Sequence, residues 1–349
     1  MRMLAAVALA LVSAAALPAA RNLEIFAIDV EGGQATLLIT PAGDSLLIDT
    51  GWPGHNHRDA DRIVAAAKAA GVKKIDWLLI THFHVDHVGG VYQLAERMPI
   101  MHFVDHGASV EKGKDAEILF NEYAAVRAKG QHLRVEAGQT IPVKEIDVKV
   151  LSAGGNVIDS PVEDLRTPGT GDVDATAEPK PNPDCNDYER PAETTDENGQ
   201  SIGVLITYGN FRMLDMGDLT KDREYDLVCP NNKIGTVDFL LVSHHGSNLS
   251  SSAPFVHAVS PRVALVDNGP HKGGTAEVWQ TLRDTPGLLD IWQLHYAIDA
   301  DKQHNSPDTF IANVDAECEG KWIKVTVRKD GSFTVYNTRN KFEKPYAKR

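Results

Sequence analysis

Short apolar runs divided by glycine, proline and acidic residues set the rhythm of this chain from residue 23 onward, and runs of that length read as strands. Segments 23–30, 35–40 and 45–49 predict a three-stranded meander, broken by Glu31-Gly32-Gly33 and Pro41-Ala42-Gly43. Residues 59–70 have helical spacing with alanine filling and stop at Gly71, and 75–80 then predicts a buried strand. Helices are expected at 90–97 and 116–128, with a short strand at 101–104 between them and another at 146–151. Strands return at 202–208, 211–216, 237–243, 263–266, 291–294, 322–327 and 332–336, with helices at 254–259 and 276–283. Mostly antiparallel strands with helices between them in both halves predict an α/β (α+β) fold in which two sheets are sandwiched by helices.

Residues 154–200 break this pattern. Six prolines among acidic residues, Thr and Gly mark an insertion or flap, and both a surface loop without fixed structure and a lid over the site remain open. At the N-terminus, Met1-Arg2-Met3, an apolar stretch to about Val12 and small residues up to Ala20 predict an export signal over 1–20. The remainder, 21–349, is then expected as one periplasmic or secreted domain. No run approaches the ~20 apolar residues of a membrane-spanning helix, so no stable membrane anchor is expected. Cys185, Cys229 and Cys318 permit at most one internal disulfide, and spacing does not choose the pair.

The strand at 75–80 runs into Thr81-His82-Phe83-His84-Val85-Asp86-His87, which crowds three imidazoles and a carboxylate together. In an extended chain residues two apart face the same way, so His82 and His84 can grip one cation, while the following turn swings Asp86 and His87 onto a second. Imidazole and carboxylate without thiolate point to zinc or a similar divalent metal with open positions. Two later strands end in the same manner, at Met216-Gly217-Asp218 and at Ser243-His244-His245-Gly246-Ser247. Each is a weak signal alone. Together the three segments repeat one order, strand then ligand.

With Leu47-Ile48-Asp49-Thr50-Gly51, these motifs resemble the metallo-β-lactamase superfamily over most of residues 23–300. Asp29 to Ala35, His244 to Ser252 and Asn268-Gly269-Pro270-His271 resemble, more narrowly, the hydrolase domain of ComEC-type competence proteins. The resemblance implies an αββα sandwich, the metallo-β-lactamase fold, with two zinc ions between the sheets and manganese as an alternative. One metal takes His82 and His84, the other Asp86, His87 and His245, with Asp218 bridging and Asp49 orienting a ligand histidine. His244 stays open as the alternative to His245. Most superfamily members place a further histidine ahead of the bridging carboxylate, where this chain has Asp196-Glu197-Asn198-Gly199-Gln200-Ser201. Asn198, Glu197, water or a remote histidine such as His106 are left to fill that gap.

Two dications about 3.5–4 Å apart acidify a shared water and polarise the oxygen of the substrate. Asp86 and His271 are the residues expected to act in catalysis, His271 as a donor to substrate oxygens or to the leaving group. Ser247 and Asn248 either bind substrate or cap the next helix. The balance of 35 basic and 48 acidic residues, a net charge of -13, argues against a clamp on duplex nucleic acid. It leaves phosphate chemistry open, because bound dications reverse the local sign of charge. The leading expectation is hydrolysis of a phosphodiester, either a small molecule or single-stranded nucleic acid. A lactone, β-lactam or thioester comes second, and metal binding without turnover third.

Overall fold

The computed structural model describes residues 21–163, 165–166 and 179–349. The expected export segment 1–20 lies outside the described residues, as do 164 and 167–178 of the proline-rich stretch. Two nine-stranded sheets pack face to face. The first runs in the order Glu343–Tyr346, Phe333–Asn337, Ile323–Val327, Leu23–Ala27, Thr36–Ile39, Ser45–Ile48, Ile75–Leu79, Ile100–Asp105 and Gln131–Arg134. The second runs Ile311–Asn313, Asp290–His295, Val263–Val266, Phe239–Leu241, Phe211–Asp215, Gly203–Tyr208, Asp147–Ala153 and Thr140–Ile141, with Asn156–Val157 added beside Asp147–Ala153.

Antiparallel pairings are the majority, as expected, but each sheet also carries a parallel block. The first sheet is parallel from Ser45–Ile48 to Gln131–Arg134, and the second from Ile311–Asn313 to Phe211–Asp215. Parallel neighbours need a crossover that returns the chain to the starting edge. Helices Arg58–Ala69, Lys114–Arg127, Lys221–Val228, Ala253–Val259 and Ala276–Asp284 supply those returns and cover the outer faces.

Side chains of a strand alternate between faces, and the sequence uses that alternation to fill three apolar layers. Val204, Ile206, Phe211, Met213, Phe239, Leu241, Val263 and Leu265 point into the core between the sheets. Their neighbours Leu205, Leu214, Leu240, Ala264 and Val266 meet the helices of the second sheet, while Leu47, Leu78 and Phe103 meet those of the first. The order is therefore helix, sheet, sheet, helix.

Described parts of the proline-rich stretch are anchored on the second sheet's outer layer. Ile158, Val162 and Leu165 join its apolar cluster, the Arg166 guanidinium reaches Asp238 at 2.6 Å, and Cys185 is bonded to Cys229. The stretch ends in the short helix Glu197–Gln200, directly before strand Gly203–Tyr208.

This topology decides where chemistry can gather. Ser45–Ile48, Ile75–Leu79, Phe211–Asp215, Phe239–Leu241 and Val263–Val266 belong to the parallel blocks, and the residues just past their carboxyl ends include Asp49, His82, Asp218, His245 and Asp267. In sheets with parallel strands, the crevice outside the carboxyl ends is where ligands bind.

Candidate metal centre

Ligand-type atoms of Asp86, His87, Asp218 and His245 all lie within 4.8 Å of one another, and all four residues are buried. Asp218 is the hub. Its Oδ1 is 3.3 Å from Nε2 of His87 and 3.5 Å from Nε2 of His245. Its Oδ2 is 3.3 Å from Nε2 of His244 and 4.0 Å from Nε2 of His82. Asp86 Oδ2 closes the group, at 3.4 Å from His87 Nε2 and 3.3 Å from His245 Nε2.

Local backbone makes this convergence possible. Gly217 has φ 54°, and a Cβ there would sit 2.9 Å from the Cβ of Thr81, so the turn that presents Asp218 against the histidine loop needs glycine. Gly273, at φ 76°, lies where a Cβ would be 2.1 Å from the carbonyl oxygen of His245. The loop after Val263–Val266 can press against the histidine pair only because that side chain is missing.

Each buried imidazole at the hub is oriented from behind. Asp49 Oδ2 lies 2.7 Å from His87 Nδ1, and Asp49 also accepts the Thr81 N–H at 2.8 Å and the Thr81 hydroxyl at 2.6 Å. Asp267 Oδ2 lies 3.3 Å from His245 Nδ1. A carboxylate behind the far ring nitrogen fixes the tautomer and makes the near nitrogen a better donor to a cation.

The electrostatics fit a site built for positive charge. Burial alone would raise the carboxyls of Asp86 and Asp218, but the charges of His87 and His245 outweigh it and hold both well below the usual range. Burial would lower His87 and His245, yet the surrounding carboxylates lift His87 well above its ordinary value and His245 to about 9. Burial, reinforced by the His87 charge, drives His82 the other way, well below its ordinary value. His82 Nε2 and Asp218 Oδ1 are buried and make no hydrogen bond. A nitrogen lone pair and a carboxylate oxygen left bare inside a protein are costly unless a ligand takes them, and the donor set suits a divalent cation.

The remaining residues singled out in the sequence fall outside the tight group. His84 is half-buried, its ring against that of His82 at a centroid distance of 4.7 Å and its Nε2 3.4 Å from Glu111 Oε1. His271 is exposed and pairs with Asp299 at 3.2 Å. Its neighbour Lys272 instead contacts Asp86 Oδ2 with its ammonium and lies 5.0 Å over the ring of Trp52. Glu197 is occupied by the N–H groups of Phe83 and Val110, by the Ser109 hydroxyl and by the His106 ring, so His106 is engaged as well. Asn198 is buried with its Oδ1 unpartnered. The Ser247 hydroxyl accepts the Leu249 N–H at 3.4 Å, a local turn contact. Sequence reasoning missed Asp267 and Lys272. Asp267 repeats the strand-then-acid order that marked Asp49, a usable signal, whereas nothing in the sequence ranks Lys272 above the histidine beside it.

A profile of the metallo-β-lactamase superfamily matches residues 29–184. Over those residues the chain is similar to that superfamily. Members of that superfamily are generally hydrolytic metalloenzymes. It is 25% identical to ComE operon protein 3 of Bacillus subtilis (strain 168) over 262 residues, 70% of this chain and 28% of that protein. It is 27% identical to Competence protein ComA of Neisseria gonorrhoeae over 242 residues, 68% of this chain and 26% of that protein. The chain thus spans about a quarter of the length of these relatives. Among solved structures, the metallo-β-lactamase fold protein YhfI from Bacillus subtilis is 13% identical, covering 78% of this chain and 96% of its own, with a TM-score of 0.45.

Proposed function

We propose that the chain is an exported two-metal hydrolase of phosphodiesters, a reading carried by the Lys272 ammonium at the edge of the carboxylate and imidazole cluster. Asp86, His87, His245 and Asp218 would hold one divalent ion, and His82 and Asp218, with the His84 ring 4.7 Å from that of His82, would hold the other. Nitrogen and oxygen donors without thiolate favour zinc, with manganese second. When bound, such a pair supplies a water that loses its proton near neutral pH and a Lewis acid for the substrate oxygen.

The protein's own groups do the rest. Lys272, released from Asp86 when that carboxylate serves a cation, meets an anionic oxygen of the substrate, and the Trp52 ring beneath it offers a flat surface for an adjoining group. Asp49 and Asp267 hold His87 and His245 in place. A phosphodiester brings its negative charge to the reacting phosphorus itself, whereas a lactone or thioester presents a neutral carbonyl there. A net charge of -13 suits a small or single-stranded phosphodiester better than a duplex.

Export is supported by the Cys185 to Cys229 bond, since such bonds persist in oxidising compartments. No helix among the described residues is long and apolar enough to cross a membrane. Protein loaded with zinc or manganese is expected to cleave bis(p-nitrophenyl) phosphate, and Asp218→Asn to abolish cleavage without unfolding. Opening of a lactone or β-lactam by protein inert toward phosphodiesters would replace this reading with the second one.

A further inference from the structure

His244 and His245 are consecutive residues, and both have φ 55°, in the left-handed region. Such a conformation costs on the order of 1–3 kcal/mol for a residue with a Cβ, so it persists where the surroundings impose it. Adjacent side chains in a strand point to opposite faces. Here the double left-handed turn brings both rings to one carboxylate, from its two sides.

The two histidines are arranged alike. His245 presents Nε2 to Asp218 Oδ1 at 3.5 Å, and its Nδ1 is 3.3 Å from Asp267. His244 presents Nε2 to Asp218 Oδ2 at 3.3 Å, and its Nδ1 is 3.3 Å from the Ser250 hydroxyl. The His244 N–H donates to the Gly217 carbonyl at 2.9 Å, tying the pair to the turn that carries Asp218. On the Oδ1 side stand His87 and Asp86. On the Oδ2 side stands His82, with its buried Nε2 unpartnered at 4.0 Å.

The structure assigns His244 as a ligand of the ion held by His82 and His84, the nitrogen that segment 196–201 does not provide. The two histidines then divide across Asp218, His244 with His82 and His84, His245 with Asp86 and His87. Other groups that could fill the gap are less well placed. Glu197 is saturated by hydrogen bonds, and His106 is engaged with Glu197. Glu111 reaches only the half-buried His84. Asn198, with its free buried oxygen, is the remaining rival.

This assignment rests on the two-metal reading, so the test counts metal rather than turnover. His244→Gly and His244→Asn are the variants of choice, because both residues tolerate a left-handed backbone and should leave the chelated protein's melting temperature unchanged or higher. Purified chain is stripped, reloaded with zinc, dialysed and analysed for metal per chain, and each site's affinity is measured by chelator competition. Wild type is expected to hold two zinc ions. The His244 variants should hold one, with the weaker affinity reduced by more than ~100-fold, since loss of an outer partner alone costs about 10–100-fold. Two ions bound with unchanged affinities in both variants would overturn the assignment, as would loss of the second ion in Asn198→Ala but not in His244→Gly. Fewer than two ions in wild type would instead overturn the two-metal reading beneath it.

Discussion

Oδ2 of Asp49 lies 2.7 Å from Nδ1 of His87, and the same carboxylate takes both the N–H and the hydroxyl of Thr81. A residue past one strand end thereby sets the ring of a donor in the loop after the neighbouring strand and pins the start of that loop. Asp49→Asn removes the charge and at least one of these contacts. It should weaken metal binding by about 10–100-fold, read by chelator competition. Thr81→Val, which drops only the hydroxyl, should cost about 1 kcal/mol of stability and change affinity far less.

Lys272 and His271 are neighbours with opposite surroundings, one against Asp86 and the other paired with Asp299 in solvent. Lys272→Met should raise the KM for bis(p-nitrophenyl) phosphate roughly tenfold, in keeping with loss of one charge-assisted hydrogen bond, with metal content unchanged. His271→Ala should leave both KM and kcat within about twofold. Steady-state kinetics of the two variants side by side would reverse the ranking if His271 were the substrate donor.

The bond between Cys185 and Cys229 closes a loop with a sequence separation of 44. By the loop-entropy relation such a closure stabilises by ~4 kcal/mol. Cys185→Ser with Cys229→Ser, or reduction of the native chain, should lower the melting temperature by several degrees. Cys318 lies outside that bond, and Cys318→Ser should not reproduce the shift.

Glu224 is buried beneath the turn after the histidine pair, where it accepts the N–H groups of Ser251 and Ser252 at 2.7 and 2.8 Å. Burial, opposed by those two bonds, lifts its carboxyl from 4.5 to about 7. The folded chain therefore keeps a proton that the unfolded chain releases near 4.5. Stability from this group is full below about pH 4.5, falls as the pH rises, and is lost above about pH 7, by up to ~3 kcal/mol. Glu224→Gln cannot ionise. Subtracting its melting profile from that of the wild type, both chelated, should leave a slope confined to that window.

Most of the candidate metal centre is legible in the amino-acid sequence, and the reason is local. His82, His84, Asp86, His87, Asp218 and His245 each follow an apolar run, and an apolar run followed by a turn is the plainest signal a chain carries. What stays hidden depends on pairing across distance. Gln131–Arg134 and Glu343–Tyr346 are edge strands with mostly exposed or half-exposed side chains, so they lack the apolar signature. Parallel pairing escapes a reading of run lengths because run length does not encode direction. The placement of His244 is hidden for a similar reason, since two successive positive φ values at non-glycine positions reverse the alternation that an extended chain would follow.

The cluster draws on both halves of the sandwich: His82, Asp86 and His87, with Asp49 behind His87, follow strands of the first sheet, and Asp218 and His245, with Asp267 behind His245, follow strands of the second. Neither sheet alone can close the cluster, so an ion bound there would clasp one sheet to the other. The apolar layer between them acts in turn as the spacer that sets the gap the clasp must bridge. Phe211 of the second sheet meets Phe333 of the first edge to face, with ring centroids 5.3 Å apart. Phe333→Ala, far along the chain from every donor, would thin that spacer, and close-packed interiors pass such strain along. Its effect would appear as a changed metal affinity as well as a lower melting temperature, making the core itself part of the metal site's geometry.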